Sequence, residues 1–235
     1  DVADAALADL GVGELDGRDD LDQLLAAAQL CRVVGALCVP WPVVEDLLRL
    51  DGGRLALVDP SGPRIDHGDL DGTWLGSDLA GNAHLLDVGG LPAPAKLGPF
   101  LVPAALGETH RSVDPDDIAR HLVLGGWRIL GGLETAFHQV AEHVKARKQF
   151  GQSLSQCQVV RFTMADAGVA RRGLDELARY TTWRLATAEP GRRAADAVAF
   201  RLHAADRARM VLRTCHQMLG AIGFCDEHDV SVIDR

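Results

Sequence analysis

The chain has little positive charge. It carries 24 lysines and arginines against 33 aspartates and glutamates, a net charge of −9. A nucleic-acid binder needs a basic face, so the balance argues against that class. Long apolar runs are also missing. The stretch "CRVVGALCVPWPVV" is broken by Arg32, Pro40 and Pro42, short of the roughly 20 unbroken apolar residues a bilayer span requires. With no secretory signal pattern either, a cytoplasmic location is expected. The five cysteines, Cys31, Cys38, Cys157, Cys215 and Cys225, are odd in number and form no CxxC pair. That usage predicts reduced thiols, mostly in the core, rather than a disulfide or zinc framework. The nine histidines form no HxxxH or HExxH pair, so no metal site is expected. No GxxxxGK or GxGxxG follows a strand-like run, and there is no internal repeat.

What remains is an ordinary globular composition, 47% hydrophobic and 24% charged over 235 residues, long enough to bury a real core. Three regions follow one another. Residues 1–50 read as a helical lobe, expected to be incomplete because the chain opens on Asp1. In it "DDLDQLLAAAQLCRVVGAL" offers Asp20 as an N-cap, and Pro40 and Pro42 stop the helix before a short "VVEDLLRL" helix. Residues 51–113 are rich in Gly and Pro, with short apolar runs between turns, and predict a small β lobe of five or six strands. Residues 114–235 predict three long helices: Asp114 to about Gln149, about Ser153 to Thr187, and about Arg192 to Leu219. Long helices joined by short links imply an antiparallel bundle. The fold class is therefore mostly α with a small central β region.

One short stretch resists a purely structural explanation. "HVKARKQFG" packs Lys145, Arg147 and Lys148 beside Phe150 at the predicted end of the first long helix. Cations there interact favourably with the helix dipole, by roughly 0.3–1 kcal/mol each. An arginine beside an aromatic is also a means of gripping a phosphorylated, aromatic cofactor.

"VKARKQFGQSLSQCQVVRFTMAD" resembles the acyl-CoA dehydrogenase pattern of Arg-Lys-Gln-Phe-Gly, a polar link, and a helix bearing Met-Ala-Asp. About 70 residues on, "CHQMLGAIGFCDEHDVSVIDR" resembles the same family's Gln-x-x-Gly-Gly-x-Gly segment with its following acidic pair and Arg. The resemblance is specific over residues 114–235 and architectural before them. It implies a helical lobe, a β lobe and a C-terminal bundle, with FAD at a subunit interface. Carried over by position, Arg147 contacts the cofactor's pyrophosphate and Phe150 packs near its adenosine half. Gln217 bonds near the ribityl-adenosine portion, beside Gly220 and Ala221. The implied reaction is α,β-dehydrogenation of an acyl-CoA, with electrons passing to an electron-transferring flavoprotein.

The chain departs from the pattern where the family keeps its base. No catalytic residue is identified. The early-helix position, counted back from Gly131, is His121, a secondary candidate. The Glu-Gly-Thr segment expected beyond the second motif does not occur. The donated half of the flavin site is kept and the chain's own half is eroded. That combination resembles the non-catalytic subunit of a bacterial α2β2 acyl-CoA dehydrogenase, with a homologous subunit as partner and a possible steroid-derived substrate. The alternatives are a self-sufficient homo-oligomeric dehydrogenase with an incomplete sequence, and a flavin-free scaffold of the same fold.

Overall fold

The computed structural model describes residues 15–18, 20–89, 101–149, 151–225 and 228–234. Helix α1 (Leu21–Ala36) begins where the Asp20 carboxylate accepts the Gln23 N–H at 2.8 Å, satisfying one of the free donors of the first turn. Its buried stripe is Leu24, Ala27, Ala28, Cys31 and Val34. A short helix α2 (Val43–Leu47) follows Pro42. Asp46 on α2 receives Trp41 Nε1 at 2.5 Å and Arg54 Nε at 2.9 Å, pinning α2 to the first strand.

The central region is one five-stranded sheet: β1 (Arg54–Leu57), β2 (Arg64–Asp66), β3 (Trp74–Ser77), β4 (Asn82–Val88) and β5 (Leu101–Ser112). The spatial order is β1-β3-β4-β5-β2. Only the β1–β3 pair is parallel, with Arg54 opposite Trp74. Trp74, Ile65, Ala56 and Val102 make a small second core under the sheet, and the Arg54 guanidinium lies 5.3 Å over the Trp74 ring.

Helix α3 (Pro115–Ala146) is the spine of the molecule. Asp114 accepts the Asp116 N–H at 2.8 Å and Pro115 takes the first helical position. The helix ends at Ala146, earlier than its sequence suggests. Arg147 is already extended, and Lys148–Gln149 (β6) pairs with Gln152–Ser153 (β7) in a minimal hairpin. Gly151, with φ of +78°, turns that hairpin. Arg147 and Lys148 are thus hairpin residues, outside the helix's last turn. Helices α4 (Gln158–Thr187) and α5 (Pro190–Leu219) follow. Pro190, which reads as a stop for α4, starts α5 instead. A short α6 (Asp229–Ile233) closes the chain.

Helix α3 packs on α1, α4 and α5. Its contact with α1 is backbone on backbone. A Cβ placed on Gly131 would sit 1.9 Å from the Arg32 carbonyl oxygen, and one on Gly35 would sit 1.9 Å from that of Arg128. Neither position tolerates any side chain. Around this crossing Arg32 holds Glu134 through two bonds of 2.8 and 2.5 Å, and Arg171 on α4 reaches the same carboxylate at 2.9 Å. Trp127 is fully buried and donates Nε1–H to Thr182 at 2.8 Å. That places it in the core, whereas Trp183 is 48% exposed. No helix among the described residues is long and apolar enough to cross a membrane.

Candidate functional sites at the bundle end and in the interior

The residues singled out by sequence fall at the solvent-facing end of the bundle. Arg147 is exposed, and among the described residues its side chain has no hydrogen-bond or ion-pair partner; only its backbone is engaged, the N–H to His143 and the carbonyl from Leu154. Lys148 is also exposed, whereas Lys145 is tied to Glu142 at 2.7 Å. Phe150 lies outside the described residues. Gln217 is exposed near the end of α5 and lines a cleft of about 550 Å³ with Thr163, Asp206, Arg209, Met210, Arg213 and Thr214. That cleft joins the start of α4 to the last turns of α5.

Gly220 ends α5 with φ of 63° and ψ of −138°, a conformation that a Cβ makes costly. It and Ala221 are exposed. The turn they begin is clamped by His216, a residue the sequence did not bring forward. Its Nδ1 lies 2.7 Å from the Gly223 carbonyl oxygen, its Nε2 lies 3.2 Å from Asp234, and its ring stacks on Phe224 at 5.2 Å. Ser231 donates to the same carbonyl at 2.8 Å. The turn is held from within, and its outer surface is left bare.

The second region is internal. A cavity of about 1120 Å³ lies between α1, α2, the sheet, α3, α5 and α6. His121 is in its wall. Its Nε2 lies 3.5 Å from Glu45 of α2, and both side chains are only 12% exposed. Burial by itself would push the Glu45 carboxyl up. The hydrogen bond and charge of His121, with its own backbone N–H and Arg128, carry it below the usual carboxylate value. Glu45 thus stays ionised inside the protein. Sequence reading passed over it because "VVEDLL" reads as one exposed turn.

Arg128 also lines the cavity and donates to Asp66 at 2.7 Å. His67, beside it, is held below its ordinary pKa by burial, Asp66 working the other way. Arg120, one residue before His121, is bound to Asp117 at 3.3 Å, where Arg18 also binds at 2.8 Å. Among the described residues there is no cluster of three or more His, Cys, Asp or Glu able to hold a metal.

Comparison with known proteins fits this geometry. Residues 120–235 match the family "Acyl-CoA dehydrogenase, C-terminal domain". A short-chain-specific acyl-CoA dehydrogenase of Clostridium acetobutylicum is 35% identical over 108 residues, covering 45% of this chain. The chain spans only 27% of that relative's length. The solved ChsE4–ChsE5 complex from Mycobacterium tuberculosis superposes with a TM-score of 0.73 at 17% identity, covering 98% of this chain and 80% of that one. A Tcur3481–Tcur3483 steroid ACAD variant gives 0.74 at 15% identity, over 97% and 80%. At such identities the likeness is one of fold.

Proposed function

Because the chain belongs to the acyl-CoA dehydrogenase family, we propose that it is the non-catalytic subunit of a heteromeric, FAD-dependent acyl-CoA dehydrogenase. In this reading it donates half of a flavin site to a homologous partner, which supplies the catalytic glutamate. The observation that carries the reading is a contrast. Arg147 and Gln217 stand exposed and unpartnered at the bundle end, while His121, where the family can place its base, faces Glu45 inside the fold.

The exposed groups fit one side of a dinucleotide. Arg147 and Arg213 offer guanidinium forks for a pyrophosphate. Gln217 and Thr214, beside Arg213 on the cleft wall, offer an amide and a hydroxyl for sugar and base edges. Gly220 and Ala221 leave the backbone open to close approach. When bound, FAD supplies the hydride acceptor for α,β-dehydrogenation. This chain's contribution is to hold and orient that group, and the proton at the α-carbon is removed by the partner.

A partner is also favoured by exposed apolar side chains along the bundle. Val159, Phe162 and Val169 on α4 are 71%, 62% and 73% exposed, at spacings that place them on one helical face. Leu202 and Phe224 add 68% and 74%. The ChsE4–ChsE5 structure is itself a complex, and the steroid ACAD variant suggests a bulky, steroid-derived acyl group as substrate. Electrons would then pass to an electron-transferring flavoprotein.

A second reading has one observation in its favour. Glu45 is an ionised carboxylate on a cavity wall, so a self-sufficient dehydrogenase would have an internal base available. The visible flavin spectrum separates the two. A colourless lone chain that yields a yellow complex, with about one flavin per heterodimer, supports the subunit reading. A yellow lone chain that oxidises an acyl-CoA would overturn it.

A further inference from the structure

The internal cavity holds one charge that the fold does not balance. Five acidic residues line it, and each has its own partner. Glu45 faces His121, Asp66 takes Arg128, and Asp234 takes His216. Asp59 accepts from the Ser61 N–H and hydroxyl, and Asp78 from the Ala80 and Asn82 N–H groups. Arg201 on α5 lines the same cavity and has no hydrogen-bond or ion-pair partner among the described residues. It crosses α3 at Gly125, where a Cβ would come within 3.9 Å of its Nε. Burial and the like charge of Arg128 both push its guanidinium down, with Glu45 opposing.

A half-buried guanidinium with no acceptor is costly to leave so, because its donors have given up water. The rest of the wall is apolar: Val34, Ile129, Leu133, Leu212 and Ile233 face the space. We propose that this cavity is a binding site for an amphipathic monocarboxylate, its head group on Arg201 and its apolar body between α3 and α5. A carboxylate fits better than a phosphate. The guanidinium fork matches two coplanar oxygens, and a single unbalanced cation matches a single negative charge. A dianion would leave an excess charge beside Glu45. The cavity exceeds the ~300–1,000 Å³ of ordinary ligand pockets, so a long or polycyclic body can enter. The site lies within this chain and does not depend on the subunit reading.

Titration calorimetry with decanoate and with decanol tests this on the full chain. Decanoate should bind one to one, about ten- to hundredfold more tightly than decanol, the ratio expected for a charged hydrogen-bond pair. Arg201→Gln should bring decanoate down to the decanol level while leaving decanol binding unchanged, and Arg201→Lys should restore part of the difference. Retained decanol binding also shows that the variant is folded. Equal binding of the two probes by the unmodified chain would overturn the proposal, as would an undiminished affinity in Arg201→Gln. So would the absence of saturable decanoate binding up to about 1 mM. None of these results bears on flavin content, so the two proposals stand or fall separately.

Discussion

The bundle end and the internal cavity use similar residues in opposite ways. At the bundle end, Arg147, Gln217 and Gly220 are exposed, and the fold gives the Arg147 and Gln217 side chains nothing to bind. In the cavity nearly every charge is matched within the chain: Glu45 with His121, Asp66 with Arg128. A site offered to another molecule keeps its hydrogen-bonding capacity in reserve. An internal cluster must satisfy itself to be tolerated at all. Arg201 is informative because it lies in the second region and behaves like the first.

Both regions hang on the α1–α3 crossing, so the largest effect comes from disturbing it. Gly131→Ala would drive a methyl group to 1.9 Å from the Arg32 carbonyl. Separating two packed helices should cost more than ordinary overpacking, about 3 kcal/mol or above. Urea denaturation reads this, and an unchanged midpoint would mean that the helices do not touch there. At the bundle end, Arg147→Ala and Gln217→Ala should each weaken flavin retention by the complex about ten- to hundredfold. Their stability should move by no more than about 0.5 kcal/mol, as for exposed side chains in general. A loss of flavin accompanied by unfolding would erase the contrast between the regions.

In the cavity, Glu45→Gln should destabilise by about 1–3 kcal/mol at pH 7, since His121 loses its counter-charge. The sign of the pH dependence follows from the lowered Glu45 carboxyl. Its contribution is full above the unfolded value of about 4.3 and is lost as pH falls through the lower folded value. The difference between wild type and Glu45→Gln should therefore shrink in acid. The smallest effect concerns His67, which burial holds neutral. As pH falls below about 6.5 the unfolded chain takes up a proton first. Stability should then decline, and His67→Gln should flatten that part of the curve. An equal slope in both proteins would show that His67 titrates normally.

Much of the frame was legible in the sequence. Asp20 and Asp114 announce their helices by cap chemistry that acts over three residues. The bundle-end residues were legible because their pattern is local, two short motifs on known helices. The cavity was hidden for the converse reason. Glu45, His121 and Arg201 come from α2, α3 and α5, and no local rule brings them together. Arg32 and Glu134, 102 positions apart, escaped reading in the same way. The end of α3 was misplaced because "ARKQ" contains no stop signal, and the hairpin turn at Gly151 lies beyond it.

Helix α3 carries His121 and Arg128 on the cavity wall and Arg147 at its cap. From His121 to Arg147 an α-helix advances about 39 Å. The glycine crossing leaves no slack between α3 and α1, so this length acts as a ruler clamped near its middle. A subunit that docks on the Arg147 end would thereby fix the distance and bearing of the cavity from its own surface.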